Sequence, residues 1–274
     1  PEEEALWVLE GTVHAAVGDD PAATRSFVAA GLDSVEIRLA LGDEARKRRD
    51  WARALGHYEY ALNSGSKDAR VYNARGEALF ASGELSRALQ DFRTAARTDS
   101  ELAVAYTNIG RVQMARGRGV EAAAALERAV ELDANNARVL ALLGKSHAMA
   151  GKMALATKAY ARALALEPES PDSYSILALL YEKMGSEQEA EEMYNKALAV
   201  DASHVPALYS LGTLLLRQHR KAAAIELLQQ AIEADDSHKD ALLNLGAAYV
   251  QSGDRKGAIE SYERFLKLHG EMDN

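Results

Sequence analysis

The sequence predicts an all-α chain of stacked helix pairs, and three observations predict it. Glycine recurs every 34 residues at Gly76, Gly110, Gly144, Gly212 and Gly246, with Ala178 on the one missing beat. In the same phase alanine falls at Ala88, Ala122, Ala156, Ala190, Ala224 and Ala258, and seven residues on at Ala95, Ala129, Ala163, Ala197 and Ala231, where Phe265 breaks the series. Four residues after each first alanine, on the same helical face, stands a bulky plug: Phe92, Leu126, Tyr160, Tyr194, Leu228 or Tyr262. A fixed period of this length marks supersecondary units that bury their apolar faces only against their neighbours. Such an array offers extended surface without an enclosed pocket, so the role it predicts is the holding of other molecules.

Each unit reads as two helices. The leading one carries the periodic glycine and must end near Gly83, Gly117, Gly151, Gly185 and Gly253, where a left-handed turn residue is least costly as glycine. Only His219 breaks that row. The trailing helix carries the small-bulky-small pattern that allows close crossing. Six units in register span 69–102, 103–136, 137–170, 171–204, 205–238 and 239–272. A worn unit at 35–68 keeps Leu41, Gly42, Ala45, Ala54, Tyr58 and Ala61 but has Arg49 at the turn. With the frame moved by three residues, another runs through Trp7, Gly11, His14, Gly18, Ala23, Phe27 and Ala30. No Gly/Ser-rich or Pro-rich linker interrupts the register, so one continuous array over 1–274 is expected.

Unit 239–272 presents Leu242, Leu245, Gly246, Tyr249, Gly253, Ala258 and Tyr262, and unit 69–102 presents Tyr72, Gly76, Leu79, Gly83, Ala88, Phe92 and Ala95. At these residues the chain resembles the tetratricopeptide repeat family, over essentially its whole length. The resemblance implies a right-handed superhelical solenoid of antiparallel helix pairs, with degenerate repeats at 1–34 and 35–68 ahead of the six regular ones. The chain departs from the family pattern in having an inter-repeat proline only at Pro168, and in placing Gln113 and His147 at an apolar helix contact.

Composition excludes several other roles. A net charge of −9 argues against generic nucleic-acid binding, which needs a dense basic surface. The run Arg46-Lys47-Arg48-Arg49 before Trp51 reads first as the solvated end of a helix, where cations favour the C-terminus, and second as a grip for phosphate or an acidic peptide. Absence of cysteine removes disulfides and thiolate metal sites. Apolar runs such as 210–216 fall far short of the roughly 20 residues a bilayer span needs. Seven histidines are scattered over different repeat positions without metal-ligand spacing, and Gly117-Arg118-Gly119 lacks the strand and the Gly-Lys-Ser/Thr of a phosphate loop. No catalytic, cofactor-binding or metal-binding residue is expected. A cytoplasmic location is expected, with periplasmic and membrane-anchored forms left open by a start at Pro1 instead of methionine.

In the resembled family the leading helices line a concave groove. Mapped onto this chain, the groove displays Arg70, Asn73, Asn108, Arg111, Arg138 and Lys145, with Phe80 and Met114 as exposed apolar contacts. It then turns apolar through Leu179, Tyr209, Leu216, Leu243, Ala247 and Val250, with Asn244 as one polar handle. The expected ligand is a protein or peptide segment carrying acidic groups at one end and apolar anchors at the other. Capture of chaperone C-terminal carboxylates is disfavoured, because Glu77 and Leu142 stand where that subclass needs cations or amides. The expected function is a non-catalytic interaction scaffold. The alternatives are a structural assembler joined through an uncapped C-terminal end bearing Phe265, Leu266 and Leu268, giving a homo-oligomer, or the recruiting arm of a larger protein.

Overall fold

The computed structural model describes residues 2–270, which form sixteen helices and no strand. Contacts divide the chain into two units, 1–150 and 151–274, with the division inside repeat 137–170. The first unit holds α1 (Glu2–Val17), α2 (Asp20–Ala29), α3 (Ser34–Lys47), α4 (Trp51–Asn63), α5 (Ala69–Ala81), α6 (Leu85–Thr98), α7 (Ala103–Ala115), α8 (Gly119–Leu132) and α9 (Ala137–Met149). The second holds α10 (Met153–Leu166), α11 (Pro171–Lys183), α12 (Glu187–Val200), α13 (Val205–Arg217), α14 (Lys221–Ala234), α15 (Lys239–Ser252) and α16 (Arg255–Gly270).

Helix boundaries follow the local chemistry. Asp33 caps α3 in a capping box with Glu36, Asn136 caps α9, and Ser170 followed by Pro171 opens α11. The predicted turns are left-handed: Gly83, Gly117, Gly151, Gly185 and Gly253 have φ of 87°, 74°, 75°, 80° and 88°. Arg49 and His219, which replace glycine in two repeats, are held in the same region at φ 61° and 60°. The turn geometry therefore belongs to the repeat rather than to the residue that occupies it, and these two side chains carry the steric cost.

The periodic glycine has a mechanical reason. A Cβ built on Gly76 would lie 2.7 Å from the Phe92 ring, on Gly110 2.5 Å from Leu126, on Gly212 2.9 Å from Leu228 and on Gly246 2.5 Å from Tyr262. Each of these four plugs thus rests on the bare backbone of the leading helix in its own repeat, and that contact sets the crossing. Gly11 stands against Phe27 in the same way, and Gly18 turns at φ 93°, so residues 2–30 are a repeat of the same construction. The alanines on either side of the plugs, including Ala88, Ala95, Ala122, Ala129, Ala224 and Ala231, are fully buried.

Within the first unit, leading helices touch in series, α1 to α3, α3 to α5, α5 to α7 and α7 to α9. Each trailing helix touches its own leading helix and the next one, while trailing helices make no comparable contact with one another among the described residues. The leading layer is therefore the tighter, inner face and the trailing layer is splayed. The second unit repeats this arrangement through α11, α13 and α15.

Two buried polar groups inside the first unit, Asp91 and His57, are paired. Arg75 of α5 grips Asp91 of α6 with two hydrogen bonds, Nε to Oδ2 at 2.6 Å and Nη2 to Oδ1 at 2.8 Å, and Asp91 is only 5% exposed. His57 of α4 is 8% exposed. Its Nδ1 lies 3.4 Å from the Arg38 guanidinium of α3 and its Nε2 lies 3.2 Å from Asp20 of α2. A guanidinium only donates, so Nδ1 accepts and Nε2–H faces the carboxylate, which satisfies the neutral ring. Burial holds the imidazole pKa below its ordinary 6.5, with Asp20 opposing and Arg38 and Arg53 adding to the depression. The unfolded chain takes up the proton at the higher pKa. The His57 contribution to stability is thus complete above pH 6.5 and lost as pH falls through the folded value. Thermal unfolding followed between about pH 7 and pH 5 should show a falling midpoint that is flattened by His57→Gln. An unchanged slope in the variant would remove His57 as the cause.

Candidate partner-binding face

The inner face of the first unit is built around Glu77 of α5. Its carboxylate pairs with Arg46 of α3 at 2.9 Å and accepts from Asn73 Nδ2 at 3.3 Å and from Asn108 Nδ2 of α7 at 3.2 Å. Asn108 Nδ2 also donates to Asn73 Oδ1 at 3.1 Å, and Arg111 Nη1 donates to Asn108 Oδ1 at 2.9 Å. The Arg111 guanidinium in turn stacks over Phe80, 4.9 Å from the ring centroid. On the other side Tyr58 Oη donates to Asp43 at 2.7 Å, and Asp43 touches Arg46 at 3.4 Å. Burial and the Asp43 carboxylate push the Tyr58 phenol far above its usual range, so it remains a donor. One polar chain therefore crosses three successive leading helices.

This corrects the sequence expectation in three respects. Asn73 and Asn108 are not displayed to a ligand: Asn108 is 2% exposed and both amides are used inside the network. Phe80 and Met114 are half-buried, not exposed, because Phe80 packs on the Leu79–Phe92 core and supports Arg111. Arg70 is exposed but held at the N-terminus of α5 by Asp68, which both caps the helix and accepts from the guanidinium at 2.6 Å. The basic run splits: Arg46 turns into the network, while Lys47, Arg48 and Arg49 are the solvated helix end that the charge pattern suggested. The hub role of Glu77 was not read from the sequence, since its neutralising partner lies one repeat away on Arg46.

Beside the network lies an open hollow of about 450 Å³ lined by Val104, Asn108, Arg111, Arg138, Leu142 and neighbours. Two carboxylates also line it, Glu77 and Asp133. Glu77 is engaged by Arg46, and Asp133 accepts from Asn136 Nδ2 at 2.9 Å. Arg111 and Arg138 are the cations of the hollow with no carboxylate of their own among the described residues. Lys145 is exposed two turns beyond Arg138 on α9.

In the second unit the leading face is apolar. Ile176, Leu179, Leu243 and Val250 are exposed, Val250 by 60%. Leu216 is buried in the core cluster, which corrects its expected place on the surface. Asn244 Nδ2 donates to Thr213 at 3.0 Å and approaches Tyr209 Oη at 3.4 Å, and the Tyr209 ring lies 4.8 Å from His238. Tyr209 and Asn244 are thus brought together across two helices and stay half-exposed.

A family model described as tetratricopeptide repeat matches residues 39–103, 142–206, 175–238 and 209–272, and a second of the same description matches 79–146. The chain belongs to the tetratricopeptide repeat (TPR) family. As a TPR array it is a protein-interaction scaffold in the general sense that the family shares. A search of curated proteins returns no match. Among solved structures, the chain is similar to YrrB, described as a TPR protein with an unusual peptide-binding site, at 24% identity and a TM-score of 0.59 over 68% of this chain and 96% of that one. It is similar to residues 41 to the end of MamA from Desulfovibrio magneticus RS-1 at 20% identity and a TM-score of 0.59, over 63% and 98% of the two chains. The C-terminal part of a TPR protein from Cytophaga hutchinsonii gives a TM-score of 0.71 at 16% identity, over 83% and 93%. At these identities the likeness is one of fold. No helix among the described TPR residues is long and apolar enough to cross a membrane.

Proposed function

We propose that this TPR chain is a non-catalytic scaffold that holds a partner's extended or helical segment against its leading-helix faces. The observation that carries the reading is the hollow of the first unit, where Arg111, pinned by Asn108 and stacked on Phe80, faces solvent with Arg138 and has no carboxylate of its own. A guanidinium fixed by hydrogen bond and stacking has little rotamer entropy left to lose, which favours carboxylate capture. The exposed apolar row of the second unit suits aliphatic or aromatic anchors. YrrB, of the same fold, has a peptide-binding site of its own, and a peptide ligand is the corresponding reading for this chain. The net charge of −9 disfavours nucleic acid as the partner.

The test is affinity capture from lysate of the source organism, comparing the chain with an Arg111→Glu, Arg138→Glu variant, followed by titration of the recovered partner segment. The reading expects a partner lost by the variant and a drop in affinity of about tenfold or more. Equal capture by a variant of unchanged helical content would sink it.

Self-association is a second reading with one observation in its favour. On α1, Leu6, Leu9, Val13 and Val17 form an exposed apolar row at helical spacing. The C-terminal residues expected to serve this role contribute less, since Phe265 and Leu268 pack on the core and Leu266 stands out at 64% exposed. A single monomer mass by light scattering at high concentration would eliminate this reading.

A further inference from the structure

Splaying of the trailing layer leaves a cleft of about 610 Å³ on the outer side of the first unit, between α6 and α7. Its floor is apolar, made by Leu89 of α6 and by Tyr106 and Ile109 of α7, and no carboxylate lines it among the described residues. Three arginines rim it, Arg93 and Arg97 on α6 and Arg116 after α7. None has a carboxylate partner among the described residues: Arg97 Nη2 meets Thr94 Oγ1 at 3.2 Å, and Arg116 Nη2 donates to Ser86 Oγ at 2.6 Å. Two neighbouring arginines of this unit are neutralised by contrast, Arg87 by Glu84 and Glu59, and Arg128 by Glu131 and Glu101.

The repeat supplies its own control. The positions of Arg93, Arg97 and Arg116 recur at the joints between repeats from residue 35 onward, and there they read Glu59, Asn63 and Ser82; Glu127, Glu131 and Ala150; Ala161, Ala165 and Met184; Asn195, Ala199 and Gln218; Gln229, Glu233 and Ser252. None of these five joints carries an arginine at these positions and three of them carry glutamate instead; the joint ahead of them reads Val28, Leu32 and Arg48, with one arginine. The hollow at the corresponding place in the second unit measures about 240 Å³, and its charged lining is two carboxylates, Glu233 and Glu260, with one arginine, Arg264. Solubility does not explain three unpaired cations gathered at one joint of a chain whose net charge is −9. An apolar floor inside a cationic rim complements one kind of occupant, an acidic amphipathic segment.

We infer that this outer cleft is a second docking site, distinct from the leading-helix face, for a protein segment that presents an apolar side chain flanked by carboxylates. The apolar side chain sits on Leu89, Tyr106 and Ile109, and the carboxylates reach Arg93, Arg97 and Arg116. A nucleic-acid backbone would meet the same cations but would leave the apolar floor unused.

The test titrates the whole chain with a fluorescein-labelled peptide of repeated Glu-Leu-Glu units, with its Gln-Leu-Gln analogue, and with an oligothymidylate. The inference expects the Glu-Leu-Glu probe to bind and its analogue not to. Arg93→Glu, Arg97→Glu should weaken the probe by about tenfold or more, Arg93→Gln, Arg97→Gln by a smaller factor, and Arg25→Glu on the exposed side of α2 not at all. All three arginine variants alter solvent-exposed or half-exposed side chains, and unchanged circular dichroism certifies their folds. Binding that survives the Arg93 and Arg97 changes, that falls equally with Arg25→Glu, or that is absent up to about 1 mM probe overturns the site. Oligothymidylate bound as tightly and lost with the same variant overturns the peptide assignment.

Discussion

Gly76→Leu is expected to lower the stability of the array by about 3 kcal/mol, the upper end of the cost of overpacking a filled core. The new side chain must start 2.7 Å from the Phe92 ring, and Phe92 is itself wedged between the fully buried Ala88 and Ala95. Gly76→Ala should cost far less, because repeat 171–204 carries Ala178 at the same position against Tyr194 with both fully buried. Gly56 of α4 is the control. A Cβ there meets nothing within 4 Å, so Gly56→Ala should stabilise by about 0.5 to 1 kcal/mol through helix propensity alone. Urea unfolding followed by circular dichroism reads all three. A Gly76→Leu protein within about 1 kcal/mol of the parent would show that the plug does not need bare backbone beneath it.

Asp91→Ala is expected to cost about 3 kcal/mol, because it leaves the Arg75 guanidinium without its bidentate partner in a position that is only one-fifth exposed. The pair does not have to be stabilising for this to hold. Taking both charges out of water carries a desolvation cost that their attraction offsets only in part, so Arg75→Met with Asp91→Leu should recover most of the loss. A double-mutant cycle by urea unfolding measures the coupling. Single and double variants that unfold at the same midpoint would show that the cost lies in packing around Asp91 and not in an orphaned charge.

The fold was legible in the sequence because each repeat writes the same contact with the same residue types. Gly76, Gly110, Gly212 and Gly246 announce a plug sixteen residues later, and the turn series from Gly83 to Gly253 announces a left-handed residue. The worn first repeat was legible for the same reason, through Gly11 and Phe27. The partner-binding face was legible only as a set of positions. Repeat position says which way a side chain points, but not which neighbour claims it first. Asn73 and Asn108 point inward as expected and are then consumed by Glu77, whose charge is met by Arg46 from the preceding repeat. The outer cleft was missed because its three arginines are separated by four and nineteen residues and belong to two repeats. A column-by-column reading of the whole repeats would have found them.

The glycine and the plug that rests on it lie in one repeat, as Gly42 with Tyr58, Gly76 with Phe92, Gly110 with Leu126, Gly212 with Leu228 and Gly246 with Tyr262. Each 34-residue segment thus inherits both halves of its own fastening. Duplication or loss of a whole segment in the gene would leave every such fastening intact, and the array can change length by recombination without a new solution to packing. The inner polar chain and the outer arginine cleft obey the opposite rule. Asn73 with Asn108, Arg46 with Glu77, and Ser86 with Arg116 each span two segments, so a single shuffle at their junction would erase them while the scaffold still folds. Lineages that vary in repeat number would therefore keep the architecture and exchange the recognition.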